Sequence, residues 1–174
     1  TTGSDNTAIG RHALRVQTSS SDNTAVGANA LASNTSGTQN TAVGAFALDA
    51  NTIQPANTAV GYEALTSLSG GNSCTAVGAK ALEDCSSGTD NTACGHRALR
   101  ATTSGSQNAA FGRLALDANT SGTNNTAVGN YALDAVTTGS HNTAVGYQAL
   151  TSQSGATSYN TAVGYQAGAN VTTG

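Results

Sequence analysis

Three-residue alternations of β-branched and small side chains, most often Thr-Ala-Val, recur ten times along the chain, each closed by a glycine. The closing residues are Gly10, Gly27, Gly44, Gly61, Gly78, Gly95, Gly112, Gly129, Gly146 and Gly164, spaced by 17 residues except for a last interval of 18. Such alternation predicts a short strand with Thr and Val on one face and Ala on the other. Glycine ends it, either because the backbone takes a conformation other residues avoid or because a Cβ would strike a neighbour. Four residues before the glycine stands Asn, with Cys74 the exception; three and four residues after it stand Ala and Leu, with Gly168 replacing the last Leu. The Ala-Leu pair predicts a second short extended piece. Segments such as 34–37, 103–105 and 137–139, rich in Asn, Thr, Ser and Gly, predict the loops that return the chain.

A fixed short period identifies one structural unit that is stacked on itself. The fold class expected is therefore all-β, a parallel β-solenoid or β-roll with one 17-residue coil per repeat. Ten coils about 4.8 Å apart make a rod of about 48 Å, in which the asparagines form hydrogen-bonded ladders. A helical reading fails because each candidate segment abuts a glycine and the period is half that of a helix-turn-helix repeat. Leucine-rich repeats need several leucines per unit. Residues 1–174 thus read as a single repeat domain of ten coils, an excerpt of a longer fibrous protein. The 18-residue interval and Gly168 mark 147–174 as a degenerate terminal coil or junction. Both the Thr/Val and the Ala positions barely vary, so both strand faces read as confined. A second chain would confine the outer one, which predicts a homo-oligomer, a trimer.

Composition sharpens this picture. Leu, Ile, Val and Phe total only 25 of 174 residues, a level typical of disordered chains, yet the net charge of −3 is too small to hold a chain open. A narrow core of regularly placed alanines resolves the conflict. Six Lys and Arg residues argue against a nucleic-acid partner, and no apolar run is long enough to insert in a membrane. The three cysteines fit no disulfide framework. Cys94 takes a Val position and reads as a small buried hydrophobe, whereas Cys74 and Cys85 share one repeat, which allows a bridge between them. No ligand spacing suits a metal, and no cofactor motif is present.

The stretch Asn-Thr-Ala-Val-Gly-Tyr-Gln-Ala-Leu at 142–150, echoed at 160–167, resembles repeats of phage and viral tail-fibre proteins. It is also similar to the repeats of YadA-like trimeric autotransporter adhesin heads. The resemblance implies a left-handed parallel β-roll assembled as a trimer and used for attachment to host surfaces. The repeat here is longer, Thr stands where the adhesin motif often has Val, and the leucine after the glycine is distinctive. No binding residue is carried over.

These observations lead to the expectation of a non-enzymatic, extracellular structural or attachment module, on a virion fibre or cell surface. Its partner would be a host-surface glycan or protein. Tyr62, Tyr131, Tyr147 and Tyr165 are the candidate surface-binding residues, able to stack on sugars or simply to shield strands. Phe46 and Phe111 are expected to be buried. The alternative is an ice-binding solenoid, in which Thr24, Thr41, Thr58, Thr75, Thr92, Thr126 and Thr143 form an outward column beside Val. Catalysis ranks below both. His12, His96 and His141 sit at three different repeat positions, and Asp49, Asp117 and Asp134 read as solvated loop-edge charges. The glycines precede no Gly-Lys-Ser/Thr, so they form no phosphate loop. Glycosylation sequons occur at Asn34, Asn119, Asn124 and Asn170, of which Asn34, Asn119 and Asn170 are expected in loops.

Overall fold

The computed structural model describes residues 2–153 and 155–172. It contains ten strands: β1 (Thr7–Ile9), β2 (Thr24–Val26), β3 (Thr41–Val43), β4 (Thr58–Val60), β5 (Thr75–Val77), β6 (Thr92–Cys94), β7 (Ala109–Phe111), β8 (Thr126–Val128), β9 (Thr143–Val145) and β10 (Thr161–Val163). They form one parallel sheet in sequence order, and no helix occurs among the described residues. Register is like-on-like: Thr41 pairs Thr58, Ala42 pairs Ala59 and Val43 pairs Val60. One 17-residue block is therefore one coil of a β-solenoid.

Strands of three residues could not hold such a stack alone. The rest of the coil is bonded to its neighbour as well: Leu31 N–H donates to Ala47 O at 3.0 Å, Phe46 N–H to Ala28 O at 2.9 Å and Thr35 N–H to Thr52 O at 2.8 Å. The core within is narrow. The strand alanines, the second alanine of each repeat and the leucines line it, and from Ala25 to Ala149 these alanines are fully buried.

The second extended piece expected at Ala-Leu is absent; this part of the coil is a pair of consecutive turns. In the second repeat Ala30 N–H donates to Gly27 O and Asn34 N–H to Leu31 O. The leucines four residues after the glycine, from Leu14 to Leu150, have φ between 49° and 53°, a conformation costing roughly 1–2 kcal/mol for an L-residue. Burial of each leucine returns roughly 1.5–3 kcal/mol. Packing therefore wins over local preference, and the turn turns inward a side chain that an extended segment would place elsewhere.

Glycine is required at the strand ends for both of the reasons the sequence suggested. Gly61 has φ +141°, and a Cβ there would lie 2.5 Å from Gly78 O in the next coil. The 18-residue interval shows as a change of register, Thr151 bonding Asp134 17 residues back and Ser140 bonding Ser158 18 residues on. Gln153 N–H still makes the regular turn bond to Leu150 O, whereas Thr137, Thr138 and Gly139 donate to Gly155 O. Beyond it β10 pairs β9 in register.

Candidate functional site

Strand alternation divides the sheet cleanly. Ala points inward and is fully buried in β2 to β9, whereas Thr is half-buried and Val looks out. Of the two faces expected to be confined, the chain itself confines only the alanine face. The other presents two parallel columns along the rod. Thr24, Thr41, Thr58, Thr75, Thr92, Thr126 and Thr143 all belong to the first, interrupted by Ala109. No strand position carries a charge.

Two expectations about this face are corrected. Cys94 is exposed, not buried, because the Val position it occupies faces outward. Phe111 occupies the same column and is 43% exposed. Its bulk sits beside Ala109, in its own strand, and next to Cys94, its partner in β6. The only large ring of the column thus coincides with its two smallest neighbours. Phe46 is likewise exposed, on the turn after its glycine.

That turn carries the variable residues as a ridge along the rod. Tyr147 and Tyr165 follow their glycines directly and stack at 5.5 Å and 13°. Tyr131, one place further along its coil, meets Tyr147 edge-on at 78°, and the Arg113 guanidinium lies 5.1 Å from its ring centre. Tyr62 stands apart and meets Phe46 edge-on. Three of the four candidate tyrosines are thus brought together, with Tyr147 42% and Tyr165 74% exposed. Equal repeat positions give stacked rings, and positions one apart give edge contacts. The same rule explains a pair that sequence reading missed: His141 and Tyr159 each stand five residues before a glycine and stack at 4.9 Å.

The charged residues form a paired column, another feature not anticipated. Lys80 bridges Glu63 at 2.8 Å and Glu83 at 2.7 Å, and Arg100 reaches Asp117 at 2.9 Å and Asp84 at 3.6 Å. Asp117 is therefore not the solvated charge expected. Asp134 also departs from that reading: burial holds its carboxyl above the ordinary range, opposed by the hydroxyl of Thr151 donating to it at 2.5 Å. Burial likewise raises Asp49, with Arg15 opposing. An open depression of about 370 Å³ lined by Lys80, Glu83, Asp84, Arg97 and Arg100 lies over the paired column, and its charges are engaged with one another. His12 contacts Asn29 at 3.3 Å, and His96 is exposed on another coil. No group of three or more His, Cys, Asp or Glu residues able to hold a metal occurs among the described residues.

The sequons divide. Asn34 and Asn119 are fully buried, with Asn34 Nδ2 donating to Gly37 O at 3.0 Å and Asn119 Nδ2 to Gly122 O at 3.3 Å. Both lie in loop segments, as expected, but their side chains are buried at the corner of the coil and have no room for a glycan. Asn124 and Asn170 are exposed.

No protein-family model matches the chain, and no characterised protein or solved structure is significantly similar to it.

Proposed function

We propose that the chain is a non-enzymatic fibre segment, a stiff rod that associates with other copies and spaces or presents an attachment surface. The observation carrying this reading is the outward Thr/Val face: uncharged, nearly invariant and continuous over ten coils. A face of this kind can be desolvated against a copy of itself without burying an unpaired charge. Closed association of three copies, as the tail-fibre and adhesin resemblance suggests, would give each chain the second layer that its own fold leaves out. The variable ridge then faces solvent, where its repetition along the rod suits many weak contacts to a host-surface glycan or protein. The setting proposed is extracellular, on a virion fibre or cell surface.

Light scattering beside circular dichroism tests this. The expected result is a β-rich particle of three times the 17.0 kDa chain mass, dispersed to β-rich monomers by Val77→Lys in the middle of the face. A wild-type monomer would overturn it.

One observation favours ice binding as a second reading: the threonine column does face outward with alanine inside. Against it, Ala109 and Phe111 break the lattice in mid-face, where a flat array is needed. Local size compensation suits a packed interface better. Thermal hysteresis from a monomer, abolished by Thr75→Leu, would establish the ice-binding reading instead.

A further inference from the structure

Most coils carry two inward polar residues at the corner, one four residues before the glycine and one seven after it; buried Leu68 and Val136 take the second position in two others. In several coils both are amides that converge on a single backbone carbonyl. Asn23 and Asn34 donate to Gly37 O at 2.9 and 3.0 Å, Asn40 and Asn51 to Gln54 O at 2.9 and 3.1 Å, and Asn108 and Asn119 to Gly122 O at 2.8 and 3.3 Å. In the fifth coil both positions are cysteine. Cys74 and Cys85 are buried, and their sulfurs lie 3.4 and 3.8 Å from the one carbonyl oxygen of Gly88. Two of the three cysteines in the chain therefore fall together at a pair of positions whose side chains converge on one carbonyl.

The double replacement also breaks the asparagine ladder. Cys74 N–H keeps its place in the column, donating to Asn57 Oδ1 at 3.0 Å, but Cys74 has no Oδ1 to offer onward. Asn91, next in the column, keeps its Nδ2 bond to Gly105 O at 2.7 Å but finds a sulfur, a weak acceptor, where other coils offer an amide oxygen. A thiol pair thus gives up hydrogen bonds that other coils make, unless a covalent link takes their place.

We propose that Cys74 and Cys85 form a disulfide that staples the fifth coil across its corner. Both thiols are free in this structure, so the bond must form by oxidation, and the oxidant is a low-molecular-weight disulfide such as oxidised glutathione. One cysteine, as thiolate, attacks that disulfide, forming a mixed disulfide and releasing one glutathione thiol. The other, deprotonated in turn, attacks the cysteine sulfur of the mixed disulfide and releases the second. Two protein thiols are oxidised by two electrons, and one glutathione disulfide is reduced to two thiols. Burial restricts this exchange to the folding chain, which places maturation in an oxidising compartment. The geometry agrees with the titration of the pair: the hydrogen bond to the other sulfur is the largest influence on each, holding Cys74 down and, with burial, pushing Cys85 up. Cys94 lies on the outer face and takes no part. The staple does not depend on copies associating through the sheet.

The test is to refold the full chain from denaturant with oxidised and reduced glutathione, unfold it in N-ethylmaleimide and measure its mass and peptide map. One maleimide, on Cys94, and a Cys74–Cys85 linked peptide are expected, unchanged in Cys94→Ser apart from the lost maleimide. Three maleimides, or linkage through Cys94, would overturn the proposal. A reductant should lower the melting temperature of the oxidised chain by about 5–10 °C. The same reductant should leave Cys74→Asn/Cys85→Asn, which restores the amide pair, unmoved. A crosslink without that difference would overturn its role as a staple.

Discussion

At the residue scale the fold depends on backbone conformations that side chains ordinarily resist. The glycine column is the clearest case, since strain and collision act at the same atom. Gly61→Ala combines a φ of +141° with a Cβ 2.5 Å from the backbone of the next coil. Strain alone costs on the order of 1–3 kcal/mol, and the collision adds separation of two coils. The expected loss is at least about 3 kcal/mol in chemical denaturation. Gly70→Ala should change stability by less than about 1 kcal/mol, because its nearest contact would be Ser87 Cβ at 3.4 Å. Equal effects of the two substitutions would show that the glycines recur for some other reason. The leucines are the counterpart that sequence reasoning could not reach. Nothing in an Ala-Leu pair announces a positive φ, and helix and strand propensities both point elsewhere. Only the gain from burying the side chain in a narrow core selects that conformation.

At the scale of the element, the coil is held by its asparagines as much as by its strand. Asn108 donates its backbone N–H and Nδ2 to Asn91 Oδ1 at 3.0 and 3.1 Å, donates Nδ2 to Gly122 O at 2.8 Å, and accepts from Asn125 N and Nδ2 at 3.0 and 3.1 Å. Asn108→Ala would strand buried donors and acceptors in three coils. A loss of about 2–4 kcal/mol is expected, with β structure retained, measured by thermal and urea melts. A cost below about 0.5 kcal/mol would contradict the ladder's structural role. This element was largely legible: an inward polar residue at one repeat position has few ways to be satisfied except by its own copies. The second polar column was not. Asn34 and Asn119 lie in Asn-Thr-Ser-Gly stretches that read as surface turns, yet each asparagine satisfies a carbonyl at a buried corner. Short polar residues mark a turn without telling which side of it meets water. The same ambiguity hid Phe46 and Phe111, since a hydrophobic residue at a repeat position says nothing about which way the position points.

For the whole molecule, period and register decide what can be displayed. The 17-residue spacing made the stacking of like on like readable, and with it the columns. The direction of the Thr/Val face needed the three-dimensional path, because alternation assigns two faces without saying which is inside. Side chains of the ridge follow a rule the sequence did contain: rings at equal repeat positions stack, as Tyr147 on Tyr165 and His141 on Tyr159. This vertical stacking shapes the ridge, while the sheet face beside it carries no charge.

The most direct test of the coil itself is pulsed electron-spin distance measurement. Labels would be placed in pairs at Gln39 and Gln107, and at Gln39 and Asn124, positions five residues before their glycines. The chain would carry Cys74→Asn, Cys85→Asn and Cys94→Val and be diluted with unlabelled copies. One coil per repeat places the first pair four coils apart, about 19 Å, and the second five coils apart, about 24 Å. Distances that fail to grow by about 4.8 Å per repeat would contradict the solenoid and every reading built on its columns.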